Sequence, residues 1–400
     1  MINLRSCVAC GNSRLKQILD LGKQPLANEY LTNVIDRTHY PLGLNLCEAC
    51  THVQLTVAIE PNVLFKNYSY VSSTSKTLSN YFVSLKERII AEFGEKGFIL
   101  DVGSNDGSFL SKFQGTQWET LGVDPAANLA SYAATLGVRT LSAFYEPSTA
   151  ALLTGDFSLA VAMNVFAHTS SPIDILNALK INVSEKGFAF IQTSQANMFI
   201  NNEFDTVYHE HISFFNVRSM KALLARAGWF LNDVSIVDVH GRSYLWKISK
   251  IPSDIPKVFT REEDEERLGM YSLDFYDSFE SNCSKVVEET KALIQESTQQ
   301  GFKVAAFGAA AKGNTFFNSG GIVPDFIFDD TPLKIGKHSP IANVIVSDPK
   351  EMEKIKEKIL FVIPAWNFSS EIKDRIRNLR GSSGSDLVMT YFPNLQIENI

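Results

Sequence analysis

An α/β architecture preceded by a small metal-binding module is what this sequence predicts, on three observations. Two CxxC pairs, Cys7/Cys10 and Cys47/Cys50, stand near the start of the chain. Four thiolates in two close pairs match the tetrahedral all-sulfur site that Zn²⁺ prefers, and four sulfurs leave no open position for catalysis. From residue 96 to 250, short apolar runs alternate with helix-period stretches, the pattern of a parallel sheet flanked by helices. A second strand–loop–helix unit begins at Val304, so a further Rossmann-like α/β domain is expected. The expected boundaries are 1–75 for the zinc module and its lead-in, 76–252 for the central domain and 253–400 for the C-terminal one.

Composition narrows the class. With 45% hydrophobic and 20% charged residues, the chain reads as a soluble globular protein. Its net charge of −7 argues against nonspecific nucleic-acid binding, which needs basic surface. The start of the chain has no apolar core of a signal peptide. Its apolar runs, such as residues 157–167, fall short of the ~20 residues that span a bilayer. A cytoplasmic protein with neither nucleic-acid nor membrane partners is expected. In that reducing compartment the paired cysteines favour metal over disulfide.

Taken in order, the elements point to two ligand-binding edges. Between the cysteine pairs, LDLGKQPLANEYL (19–31) reads as a loop by its Gly, Pro and Asn. Tyr68 and Tyr70 alternate ahead of Ser72, Ser73 and Thr74, any of which suits the N-cap of a helix over 78–93. The stretch KGFILDVGSNDGSFL (96–110) reads as a strand over 98–102 running into a Gly-bearing loop, then a helix from Ser108. Such a turn lets the backbone approach a ligand and points free N–H groups at it. Asp124, in LGVDP, stands 23 residues after Asp101, near the spacing at which an acid meets ribose hydroxyls. Neither this loop nor the later one is GxGxxG. Further strands are expected at 120–123, 159–164, 188–192, 234–239 and 244–248. Asn164 ends the 159–164 strand, which leads to His168, so both belong to the carboxyl edge that carries ligands in such sheets.

The segment FDTVYHEHISFF (204–215) packs Tyr208, His209, Glu210 and His211 together among phenylalanines. It lacks the i, i+4 spacing of a helical HExxH site, whereas adjacent Glu and His suit a base and its partner. His240 ends another strand. Prolines mark a linker near 251–257; REEDEER (261–267) reads as a solvated face; Cys283 falls in the buried stripe of an amphipathic helix. GAAAKGN (308–314) offers small residues for close ligand approach and Lys312 for a phosphate.

DxGxxDG followed by Asp124 resembles the first two motifs of class I S-adenosylmethionine (SAM) methyltransferases. Taken together, the cysteine knuckles with QPLAN between them, YxYxSSTS, DVGSNDGSFL, GVDP, NVFAH, FDTVYHEH, HGRS, GAAAKGNTFFN and PAWNF resemble the sugar C-methyltransferases, which act on nucleotide-linked 4-keto deoxysugars. The resemblance runs over nearly the whole chain. It implies a structural zinc, a central class I SAM domain, a C-terminal Rossmann-like domain, and methyl transfer to C3 through an enolate. It also implies roles. His211 would be the base, with Glu210 beside it and Tyr70, His168 and Tyr208 around the keto oxygen. Asp101, Gly103, Asn105, Asp106, Asp124 and Asn164 would hold SAM. Lys312, Asn314 and His240 would meet the nucleotide sugar. Two departures, Gln192-Thr193 for an acidic residue and proline, and Arg242 for a glycine, fall near the acceptor edge. Two competing readings are an NAD(P)-binding nucleotide-sugar oxidoreductase or epimerase, and a non-catalytic zinc-knuckle scaffold. The missing GxGxxG counts against the first.

Overall fold

The structure is a computed structural model that describes residues 1–34, 36–65, 72–74, 76–194, 196–239, 241–253, 258–381 and 385–400. Two units make up the chain. The first comprises Met1–Lys16, Asn45–Ala196 and Ile212–Leu273; the second comprises Gln17–Leu44, Asn197–His211 and Asp274–Ile400.

In the first unit, β-branched and aromatic runs form a sheet of seven strands among the described residues. They are β1 (Lys96–Val102), β2 (Gln117–Val123), β3 (Thr140–Leu141), β4 (Phe157–Met163), β5 (Val183–Ser194), β6 (Phe230–Val237) and β7 (Ser243–Ser249). Their order is β6-β7-β5-β4-β1-β2-β3. Strands β1 to β5 pair in parallel, and β7 runs antiparallel to both β5 and β6. The order reverses between β1 and β4, so their carboxyl ends open a ligand crevice there. Successive residues face opposite sides. Thus Ile99, Val161 and Phe190 pack against Leu78, Phe82 and Leu85 of α1 (Lys76–Phe93) and Ala133 of α2 (Ala127–Thr135). Leu100, Ala160 and Ile191 pack on the other side against α3 (Pro172–Asn182) and α4 (Val217–Ala227). Helix α4 begins with a reciprocal Asn216/Ser219 capping box and ends at Gly228 in the left-handed conformation, as helix termini favour. In the zinc module, Ile2–Asn3 pairs antiparallel with Val57–Ala58, and Val53–Leu55 with Ser213–Phe214.

Three expectations need correction. The helix placed at Ser108 is only a 3₁₀ turn, Leu110–Phe113. Asp106 Oδ1 accepts the Ser108 N–H at 3.1 Å, and this local side-chain bond replaces the first helical turn. The loop over 19–31 begins only at Pro25, because Leu15–Gln24 is a strand that buries Ile18 and Leu19. REEDEER lies on α5 (Phe259–Arg267), yet Glu265 is buried. Its carboxylate accepts the Val217 N–H (2.8 Å), Tyr244 OH (2.5 Å) and Tyr271 OH (2.6 Å), satisfying a helix-start donor of α4.

The second unit has a six-stranded sheet among the described residues: β8 (Lys303–Phe307), β9 (Phe326–Phe328), β10 (Val346–Ser347), β11 (Ile359–Val362), β12 (Leu387–Thr390) and β13 (Gln396–Asn399). The order is β10-β9-β8-β11-β12-β13, parallel except for the last pair. Its helices are α6 (Phe279–Gln299), α7 (Ala311–Gly320) and α8 (Ser369–Arg380). Cys283 lies in the buried stripe of α6 with Phe279, Val287 and Ile294, and burial pushes its thiol up and out of reactivity. No helix among the described residues is long and apolar enough to cross a membrane.

Candidate active site

The four cysteines converge. All four sulfurs lie within 4.8 Å of one another, with Cys7 and Cys50 at 3.6 Å and Cys10 and Cys47 at 3.5 Å. A Zn–S length of about 2.3 Å gives a tetrahedron edge of about 3.8 Å, so the cage has the size of this ion. The two knuckles repeat one turn. Gly11 N–H donates to the Cys7 carbonyl and Thr51 N–H to the Cys47 carbonyl, with Gly11 and Thr51 both at positive φ.

The cradle at the end of β1 follows from local rules. Gly103 sits at φ +71°, and a Cβ there would lie 2.2 Å from Val165 Cγ2. Only glycine therefore lets this loop pass under the Asn164–His168 turn. Asn105 takes the left-handed conformation at φ 51°. Its N–H donates to Asp124 Oδ2 and the Ala126 N–H to Asp124 Oδ1, both at 2.8 Å. Asn105 Oδ1 and Asp106 Oδ2 accept the Ser72 and Ser73 N–H groups at 3.0 and 2.9 Å. Asn164, at φ 55°, donates its N–H to the Gln192 carbonyl; the His168 ring stacks on Phe65 at 6.0 Å. Asp101 is 3% exposed, and its Oδ1 has no partner. Burial, with Asp124 and Asp106 nearby, pushes it up to about 8. Burial also raises Asp124. A buried acid of this kind, with an orphaned oxygen, fits a ligand that brings positive charge.

The second unit holds a different cluster. His211 Nδ1 lies 2.9 Å from the Thr206 carbonyl, which can only accept, so Nδ1 carries the proton. Its Nε2 accepts from Tyr208 OH at 2.7 Å. Glu210 is 2% exposed; Oε1 accepts from Asn28 Nδ2 at 3.0 Å and Oε2 has no partner. Burial raises Glu210 to about 7, against the lowering effect of Asn28. Asn314 Nδ2 donates to the Ala27 carbonyl (2.5 Å) and Tyr30 OH (2.8 Å), and Tyr30 OH donates to the Ala309 carbonyl (2.7 Å). Lys312 Nζ lies 4.2 Å from the Trp366 ring centre, and Trp366 Nε1 donates to Asp205 Oδ2 (2.8 Å). Thr315 OH donates to the Val207 carbonyl (3.1 Å). Gly313 fits here for lack of a Cβ, which would meet Pro364 Cβ at 2.4 Å.

Three family models match in series: a zinc binding domain over residues 7–65, a methyltransferase domain over 76–232 and a C-methyltransferase C-terminal domain over 239–391. The C-methyltransferase NovU of Streptomyces niveus is 28% identical over 397 residues, covering 96% of this chain and 94% of that protein. The chain is a SAM-dependent C-methyltransferase. The strand order and β7 reversal of the first unit are those of the class I SAM methyltransferase fold. Among solved structures, the SAM-bound magnesium protoporphyrin IX methyltransferase of Synechocystis PCC 6803 is similar at 11% identity and a TM-score of 0.35, covering 44% of this chain and 80% of that one. The YcgJ protein of Bacillus subtilis is similar at 12% identity and the same TM-score, covering 43% and 99%.

SAM and a structural zinc are thus the cofactors of this C-methyltransferase. The oxidoreductase and scaffold readings fall away. Asp101, Gly103, Asn105, Asp106, Asp124, Asn164 and His168 all belong to the carboxyl edge of the first unit's sheet. Tyr208, Glu210, His211, Lys312 and Asn314 belong to the second unit. Tyr70 and His240 lie outside the described residues, as does Tyr68. Sequence reading missed Asn28, Tyr30, Asp205 and Trp366. Asn28 stands 182 residues from Glu210, so no local spacing reveals it.

Proposed function

We propose that this C-methyltransferase acts at C3 of a nucleotide-linked 4-keto deoxysugar, with His211 as the base that forms the enolate. One observation carries the reading. QPLAN, FDTVYHEH, GAAAKGNTFFN and PAWNF, four of the motifs shared with the sugar enzymes, form a single hydrogen-bonded cluster around the Tyr208–His211 pair. Its links are Asn28–Glu210, Asn314–Ala27, Thr315–Val207 and Trp366–Asp205.

Carbon acids need a positioned base and donors for the enolate oxygen. The Thr206 carbonyl commits the His211 proton to Nδ1 and leaves Nε2 as the basic nitrogen. The C3 proton goes to Nε2, and the Tyr208 hydroxyl, relieved of that nitrogen, donates to the C4 oxygen. Glu210, raised to about 7 and with Oε2 unpartnered, shares the proton load at neutral pH. The resemblance to the sugar enzymes gives Tyr70 and His168 as further donors to the keto oxygen, and Lys312 and His240 as residues for the nucleotide sugar. Asn314 holds the loop that carries Asn28. Asp124 takes the ribose hydroxyls of SAM, which when bound supplies an electrophilic methyl group.

The test is incubation with SAM and a panel of nucleotide-linked 4-keto deoxysugars, reading product mass, together with deuterium wash-in at C3 without SAM. His211→Ala should slow wash-in by roughly 10²–10⁴-fold while SAM affinity stays within twofold. Full turnover by that variant on a verified acceptor would remove His211 from its role.

A further inference from the structure

Asp101 is not the sole unsatisfied group on its face of the first unit's sheet. Gln192, near the end of β5, is 0% exposed, and neither its Oε1 nor its Nε2 has a partner. Tyr81 of α1 has a buried hydroxyl with no partner either. These groups share one side of the sheet. Ile99, Val161 and Phe190 all pack toward α1, and strand alternation sends Asp101, Met163 and Gln192 the same way. The three strands are neighbours in the order β5-β4-β1. Asp101 stands opposite Val161, and Gln192 opposite Met163, at the carboxyl edge where such sheets bind ligands. Tyr81 packs against this same core.

Buried polar groups without partners oppose folding and are few in native proteins. Here Asp101 and Gln192 lie on one face of the sheet's carboxyl edge, and Tyr81 packs on that face with its hydroxyl near Arg88. Their chemistry is complementary to a zwitterion. Asp101 and the Gln192 carbonyl accept from an ammonium; the Gln192 amide N–H and the Tyr81 hydroxyl donate to a carboxylate. We propose that Gln192 and Tyr81, on the same face of the sheet as Asp101, bind the amino-acid end of the methyl donor. The change to Gln192 noted at the acceptor edge then belongs to donor recognition. This assignment is independent of which acceptor is used.

The test compares two ligands by calorimetry on the full zinc-loaded chain. S-adenosylhomocysteine has the amino-acid end; 5′-methylthioadenosine lacks it. Gln192→Leu and Tyr81→Phe should each raise the Kd for S-adenosylhomocysteine about tenfold, the usual cost of losing a hydrogen bond to a charged group. Methylthioadenosine affinity should change less than twofold. The ligand-free Tm should stay level or rise, since an unpartnered polar group has been removed. Unchanged S-adenosylhomocysteine affinity would mean that the two groups hold water or meet the acceptor, and would overturn the proposal. Equal weakening of both ligands would overturn it too, as general damage to the cradle. Should Gln192→Leu fail to fold, Tyr81→Phe decides by the same readings.

Discussion

At the scale of residues, two buried acids make this enzyme pH-dependent in a defined direction. Asp101 rests at about 8 without ligand, so at neutral pH it is largely protonated. On the proposed contact between Asp101 and the cationic donor, the carboxylate is the binding form, and binding releases that proton. SAM affinity should therefore rise by up to tenfold per unit between about pH 6 and pH 8, then level off. Calorimetry in buffers of different ionisation enthalpy should read close to one proton released at pH 7; none released would contradict the assignment. Glu210 gives a stability signal instead. Its folded value, about 7, lies above its unfolded one of about 4.5. A raised acid contributes its stability below the unfolded value and loses it as pH rises through the folded one. Glu210→Gln should therefore gain in Tm relative to wild type as pH goes from about 5 to about 8, on the order of 3 kcal/mol at the upper end. Asn28→Ala removes a bond that lowers Glu210, so any limb near pH 7 in kcat/KM should move upward.

At the scale of elements, the loop after β1 depends on what passes beneath its neighbour. Gly103→Ala forces a side chain into the left-handed region and into Val165, costing about 2–4 kcal/mol from strain and overpacking together. Thermal unfolding should show that loss, and SAM binding should fall with it; a Tm within one degree of wild type would contradict the close approach. Strand positions in the first unit's sheet were legible because apolar runs alternate with turn residues over short distances, whereas the strand Leu15–Gln24 was hidden by its Gly and Gln residues. The start of a helix at Ser108 was not, because Asp106 captures the N–H that a first helical turn would leave open. Glu265 was misread for a related reason. A charge run looks solvated until a helix start 48 residues away supplies the donor it accepts from.

At the scale of the whole molecule, the zinc cage closes a module from segments at residues 7–10 and 47–50. Structural zinc sites contribute folding energy directly. Cys47→Ser should lower zinc below one ion per chain by elemental analysis and depress Tm. Normal zinc content in that variant would contradict the four-sulfur cage. A strong chelator should lower Tm in the wild type and have little further effect on the variant.

The sequence by itself determined the metal, the cofactor class and the α/β character, because each is written in short-range spacing. Four cysteines at CxxC intervals, a Gly-bearing turn after an apolar strand, and an acid 23 residues on are local patterns with local physical causes. Only the tertiary structure decided which segments stand together. Residues 17–44 and 197–211 belong to the second unit although the chain on both sides of each belongs to the first. That membership brings Asn28 to Glu210 and Asn314 to Ala27, through hydrogen bonds between segments far apart in sequence. Within the first unit, packing leaves Asp101, Gln192 and Tyr81 with unpartnered polar atoms on one face of a sheet. Burial and partner count arise from the packing of distant strands and helices, and no window of sequence contains them.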